Sequence, residues 1–240
     1  MKFERQIYDA LKYTIDDWKA IVLLGIILCI ASTSEETITE NVYILIIISI
    51  IGLVTLFLEE GYRYLIIEET IKGNNSPPII RNMKDLLKEG FYEVITLFIY
   101  GAILAILSYI GNNIVIYTDL DYMRWLILYI ICLIIYLSFF GAAINKVLHG
   151  GKFLSAFNII EIFKLYLKMG ILQTIFLAII GTVNLNIVVS CVLDLGILNV
   201  NHFLDYVISF FLSPAILLFV TRLMALCGKI AVKKSDERAY

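Results

Sequence analysis

The chain has 240 residues, of which 60% are hydrophobic and 17% charged, with a mean hydropathy of +0.89 and a formal net charge of -2. A soluble domain is about 45–50% apolar and about 25% charged, so this composition excludes an ordinary water-soluble globule. The near-neutral charge excludes a nucleic-acid binder. The length accommodates about six membrane spans with short loops and leaves no room for a separate large soluble domain.

Residues 1–16 form the first predicted element. Phe3, Ile7, Leu11 and Ile15 recur at helical spacing, with Tyr8 and Trp18 beside them. That pattern predicts an amphipathic helix, either in the inner headgroup layer or packed on the protein's own cytoplasmic loops. A cleaved signal is not expected. Glu4, Asp9, Asp16 and Asp17 precede the apolar run, nothing after it resembles Ala-x-Ala, and Leu28 stands before Cys29 where a lipoprotein signal needs a small residue.

Residues 17–230 read as a six-helix transmembrane bundle, with spans at roughly 17–32, 42–67, 91–111, 123–148, 169–193 and 203–228. Each is close to the ~20 residues that cross a hydrocarbon core. Continuous Ile/Leu runs lack the alternation of a membrane barrel. All of the 19 Lys and Arg except Arg124 fall in four segments: Lys2 to Lys19, Arg63 to Lys88, Lys146 to Lys168, and from Arg222 onward. By the positive-inside rule both termini are cytoplasmic, and residues 231–240 form a polar cytoplasmic tail. Pro214 is expected to kink span 6, and Gln173 and Thr174 to join helices in span 5, with Asn184 and Asn186 nearer the outer mouth.

The two cytoplasmic linkers look like one unit used twice. The first runs from Ile71-Lys72-Gly73 to Lys88-Glu89-Gly90, and the second from Leu148-His149-Gly150 to Lys168-Met169-Gly170. Ser76 is expected to cap, and Pro77 and Pro78 to open, a short helix with an apolar face of Ile79, Ile80, Met83, Leu86 and Leu87. Phe153 to Phe163 is its counterpart. Each helix is expected to lie in the interface and turn into the bilayer at its Lys-x-Gly. The fold class is therefore all-α: a polytopic membrane protein with two parallel-repeat helical hairpins joined by cytoplasmic interfacial helices.

Several ordered motifs carry a family resemblance. They are Asp17-Trp18-Lys19, Gly61-Tyr62, Thr70-Ile71-Lys72-Gly73 with Pro78, and Leu87-Lys88-Glu89-Gly90. Ala143-Ile144-Asn145, Gly151-Lys152-Phe153 and Ala156-Phe157-Asn158 follow in the second copy. Together they resemble the archaeal membrane family catalogued as domain of unknown function 4013. The chain departs from that pattern at Ile79-Ile80-Arg81-Asn82-Met83, where an acidic or aromatic residue before the Asn and a Trp after it are expected. The resemblance implies an archaeal cell-membrane protein of several helices and no particular activity.

The chemistry-bearing residues are few. His149 and His202 fall on opposite sides of the membrane, so they cannot share a metal. Cys29, Cys132, Cys191 and Cys227 read as small apolar helix residues, with Cys29 and Cys191 both near the outer face where a disulfide is feasible. No phosphate loop, nucleophile elbow or zinc-protease motif is present, and no cofactor or catalytic site is expected.

Ionisable residues near spans are candidates by default. Glu59 is expected to pair with Arg63 at i,i+4, Glu93 to meet Lys168 or Arg63, and Arg222 to snorkel to the headgroups. A polar cluster inside the bundle would join Glu60, Arg63, Glu93, Asn145 and Arg222. A second set, Arg81, Lys84, Lys88, Lys164 and Lys168, faces the cytoplasm as a candidate surface for lipids or partners. Three functions remain open: a module organising membrane lipids, further copies of itself or other membrane proteins; a small-solute or lipid permease; and, last, an intramembrane enzyme.

Overall fold

Runs of Ile and Leu with no water to satisfy the backbone force internal hydrogen bonding, which only helices supply within one segment. The computed structural model describes residues 3–26, 42–78, 82–115, 121–181 and 208–236, and among these the regular structure is helical. In chain order the helices are α1 (Phe3–Asp16), α2 (18–26), α3 (Val42–Lys72), α4 (Met83–Val115), α5 (Asp121–Leu148), α6 (Ile159–Met169), α7 (Ile171–Gly181) and α8 (Ser213–Asp236). A 3-10 turn, Phe153–Phe157, leads into α6, and a π-helical turn, Ile208–Leu212, leads into α8.

Three stretches are long and apolar enough to cross a membrane: Met83–Leu107, Tyr129–Leu148 and Phe210–Ala231. The pair α6 and α7 makes a fourth if its two halves, bent by 109°, count as one broken span. By length and hydropathy these helices are compatible with a membrane protein. Much of the apolar surface of the bundle is turned outward: Ile46, Ile50 and Val54 on α3, Phe98 and Ile106 on α4, and Leu172 on α7 are all exposed. The C-terminal half of α3 behaves oppositely, burying Tyr62, Tyr64, Ile66 and Ile67.

Helix α8 is the centre of the packing. It lies against α1, α3 and α6, and its Leu218, Val220, Leu223, Met224 and Cys227 are wholly buried or nearly so. Pro214, the residue expected to kink span 6, is its second residue. A π-helical turn, Ile208–Leu212, rather than a regular α-helix precedes it. The helix runs on to Asp236, so the polar tail begins as a continuation of it.

The two linkers differ from each other. In the second, Gly170 stands at φ 105°, a left-handed value open to glycine, and the chain turns there from α6 into α7. In the first, the expected turn at Lys88-Glu89-Gly90 is absent, because α4 runs straight through it from Met83. Gly90 serves another end: it lets α4 cross α3 in backbone contact. A Cβ on Gly90 would stand 1.8 Å from the Phe57 carbonyl oxygen, and one on Gly61 would stand 2.2 Å from that of Leu86. The cap also differs from expectation. Asn82, not Ser76, starts α4: its Oδ1 accepts from the Lys84 amide at 3.1 Å and its Nδ2 donates to Asp85 at 2.7 Å. Ser76, Pro77 and Pro78 stay in a non-helical linker.

Span 1 is helical over its described part, 18–26, and span 5 from Ile171 to Gly181. Thr174 Oγ1 donates to the Gly170 carbonyl at 3.1 Å and to the Tyr166 carbonyl of α6 at 3.4 Å, so it joins the two halves of the bent pair α6 and α7. Cys29, Cys191, His202, Asn184 and Asn186 lie outside the described residues, as does Arg81.

Replacing Gly90 by Leu is expected to separate α3 from α4 and to destabilise the protein by about 1–3 kcal/mol or more, read as a fall in thermal unfolding temperature in detergent. Gly101→Ala, where an added Cβ meets nothing within 4 Å, serves as the control and is expected to leave stability unchanged or raise it by about 0.5–1 kcal/mol.

Candidate functional site

Glu89 and Glu93 are four residues apart on α4 and so share one face of it. Lys146, near the end of α5, has a wholly buried side chain and reaches across to both: its Nζ donates to Glu89 at 2.9 Å and to Glu93 at 2.8 Å. The ammonium also stands 4.1 Å from the centre of the Tyr64 ring and 5.4 Å from that of Tyr92. An aromatic face adds attraction for a desolvated cation. Arg63 on α3 donates to Glu60 at 2.5 Å and lies over Phe140, 4.5 Å from the ring centre. Glu60 and Arg63 lie within electrostatic range of Glu93. Glu60, Arg63, Glu93 and Lys146 thus form one charged node joining α3, α4 and α5.

Arg222 makes a second node. Its side chain is 1% exposed, so it does not snorkel. Nη1 donates to Thr70 Oγ1 at 2.7 Å and to the Asn74 carbonyl at 2.9 Å, and Nη2 donates to Asp9 at 3.3 Å and Asn75 at 3.4 Å. The guanidinium also sits 4.4 Å from the centre of the Tyr13 ring. Burial pushes the Tyr13 phenol well above its ordinary value, with the Arg222 charge pulling the other way. The Gly73 turn gives Arg222 its carbonyl. Gly73 stands at φ 107°, and the Gly73 and Asn74 amides both return to the Glu69 carbonyl, closing α3 and aiming the Asn74 carbonyl at α8. One side chain of α8 thereby ties α1 to the end of α3.

Asn145 belongs to a third place. Its amide donates to the Ser155 carbonyl at 2.8 Å and to Glu161 at 3.2 Å, and Glu161 lies 3.3 Å from His149 Nε2. With the Tyr100 hydroxyl donating to the Ala156 carbonyl at 2.9 Å, these bonds pin the 3-10 turn against α4 and α5. The five candidates for one intrabundle cluster therefore divide: Glu60, Arg63 and Glu93 come together, while Arg222 and Asn145 each serve a separate joint.

The partners also depart from expectation. Arg63 takes Glu60 rather than Glu59, because the shorter i,i+3 reach suits the face turned to α5. Glu93 takes Lys146 rather than Lys168 or Arg63. Lys146 was missed because its position near the end of an apolar run reads as an inner-loop charge. The signal for it was the Glu89/Glu93 pair, which needs a cation on a facing helix. Lys84, Lys88, Lys164 and Lys168 are all exposed.

A cavity of about 1190 Å³ opens between the end of α3, the 74–78 linker, the start of α4 and the turn after α5. Its wall includes Tyr64, Glu68, Lys72, Asp85, Lys88 and Glu89, so the charged node is continuous with it through Glu89. Lys72 bonds Glu68 at 2.8 Å, and that bond holds its ammonium above the ordinary lysine value. Among the described residues no three His, Cys, Asp or Glu side chains are grouped to hold a metal ion.

Lys146→Met strands two carboxylates, one of them deeply buried, and is expected to cost about 3–5 kcal/mol of stability. The triple variant Lys146→Met/Glu89→Gln/Glu93→Gln removes the stranded charge and is expected to recover most of that loss. Thermal unfolding of the three proteins in one detergent checks both.

Residues 44–200 match the family model described as "Protein of unknown function (DUF4013)". No curated protein and no solved structure gives a significant match. The matched stretch contains the whole Lys146 node and the third, Asn145 joint, whereas Asp9 and Arg222 lie on either side of it. The chain belongs to the DUF4013 family.

Proposed function

We propose that the chain is a multi-pass cell-membrane protein of six spans, built as two parallel hairpin repeats with both termini in the cytoplasm. Its role in this reading is that of a non-catalytic module organising membrane lipids or partner proteins, including further copies of itself, in the archaeal setting that the sequence motifs imply. The observation that carries the reading is the division of its charges. Among the described residues every buried charge has an internal partner: Lys146 with Glu89 and Glu93, Arg63 with Glu60, Arg222 with Asp9, and Asp17 with the Tyr62 hydroxyl at 2.6 Å. Charges so occupied brace helices. Lys84, Lys88, Lys164 and Lys168 are exposed, and near them in the chain stand Met83, Ile160, Phe163 and Leu167, which are exposed and apolar. Lysines at the edge of an apolar surface attract anionic headgroups, each by about 1 kcal/mol. Arg81 extends this set by its place in the sequence.

A second reading, a small-solute or lipid permease, draws its support from the cavity beside Glu89. A charged wall that reaches a buried ion pair is a feature transport pathways share. That reading predicts loss of uptake in vesicles with Glu93→Gln.

Native mass spectrometry of the gently solubilised protein discriminates the two. The organising module predicts a retained anionic lipid or a stoichiometric partner, lost or weakened in Lys84→Ala/Lys88→Ala/Lys164→Ala/Lys168→Ala. A bare monomer, unchanged by the substitutions, favours the permease. The Asn74-Asn75-Ser76 triplet is expected to stay unglycosylated when the protein is made in glycosylating membranes, and its modification would reverse the orientation.

A further inference from the structure

Helix α1 carries apolar residues on both of its faces. The side packed on the bundle carries Gln6, Thr14 and Asp9 along with Ala10 and Tyr13: Gln6 Oε1 meets the Cys227 thiol at 3.8 Å, and Asp9 meets Arg222. Phe3 and Ile7, half of the sequence's apolar stripe, also turn inward, Phe3 edge-on to Phe176 of α7 at 5.1 Å. The other half turns out. Tyr8 is 68% exposed, Ile15 72% and Trp18 60%, with Leu11 between them. Tyr8, Leu11 and Ile15, spaced three and four apart, lie along one line of the helix, and Trp18 follows three residues on, past the turn at Asp17. A helix in water would place such a line against the bundle.

We infer that this outer line of α1 lies in the headgroup layer of an anionic lipid leaflet. Two observations select lipid as the occupant. The line is continuous with the apolar exterior of the bundle, running through Trp18 at the start of α2 to exposed Leu23 and Ile26. It is also flanked by the exposed side chains of Arg5, Lys12 and Lys19, against Glu4 and Asp16, which leaves the rim basic, as an anionic surface requires. Aromatic residues such as Tyr8 and Trp18 favour that depth. The lipid surface would thus hold α1, and through Asp9 and Arg222 it would hold the Gly73 turn.

The inference rests on the membrane reading of the bundle, and its test separates the two. Trp125→Phe leaves Trp18 as the sole tryptophan. The full chain is reconstituted in phosphatidylcholine vesicles with and without phosphatidylglycerol, and retention in the vesicles after alkaline carbonate washing establishes that the bundle spans lipid. Trp18 fluorescence is then read against brominated lipids and against aqueous acrylamide. The expected result is strong quenching by lipid brominated near the headgroup, little by acrylamide, and a larger lipid effect when phosphatidylglycerol is present. Leu11→Glu/Ile15→Glu, which leaves the packed face of α1 intact, is expected to exchange lipid quenching for acrylamide quenching. Quenching by acrylamide alone in the unsubstituted line would place it in water, and quenching by neither would place it against protein. Either result overturns the inference while the washed vesicles still report on the bundle. Equal lipid quenching in both vesicle types overturns the anionic preference.

Discussion

A cation inside an apolar bundle must be met on every side, since removing it from water costs several kcal/mol that only close partners return. Three buried cations are partnered here, with only Arg63 Nε and Arg222 Nε left without a hydrogen bond, and the arrangement of the helices follows from those partners. Lys146 draws the faces of α4 and α5 together, with two carboxylates and two aromatic rings around it. Arg63 lays the C-terminal half of α3 on the aromatic face of α5. Arg222 gathers α1 and the end of α3 onto the central helix. Each is a joint between elements distant in the chain, and hydrophobic burial alone, being non-directional, would not choose among the many ways such helices pack.

How much of this was legible in the sequence depends on the kind of interaction. Spans came from composition: the run at 123–148 is α5 nearly to the residue, and 91–111 lies within α4. The amphipathic start was legible as a helix because its period is local, but not the direction of its faces, because that depends on Arg222 reaching for Asp9 from the far end of the chain. The charged candidates were found as residue types and missed as partners. Glu60, Glu93 and Arg63 do cluster, yet their organising cation, Lys146, stands 53 positions from Glu93, and no spacing rule spans that distance. Motif likeness misled where one glycine serves two ends. Lys88-Glu89-Gly90 and Lys168-Met169-Gly170 read alike, but Gly170 bends the chain and Gly90 admits a neighbouring helix.

The joints also bear on what the family match can mean. The Lys146 node and the cavity it borders both fall within residues 44–200, while the Arg222 node needs residues from before and after that stretch. The matched region therefore contains a brace of its own, and the flanking helices add a second that fastens the ends of the chain to it. The apolar line on α1 stands on this added part, where the bundle meets its surroundings.

The glycine crossing has a mechanical consequence. Where α3 and α4 touch backbone to backbone at Gly61 and Gly90, no side chain remains between them to change rotamer, and sliding or rotation would drive one main chain into the other. Helices α3 and α4 are therefore held in one register at this crossing. At Gly170 the opposite holds: two helices meet at 109° through one residue with a wide choice of backbone angles. Two stretches that look like copies in sequence therefore use their glycines unequally, one to lock two helices together and the other to turn the chain.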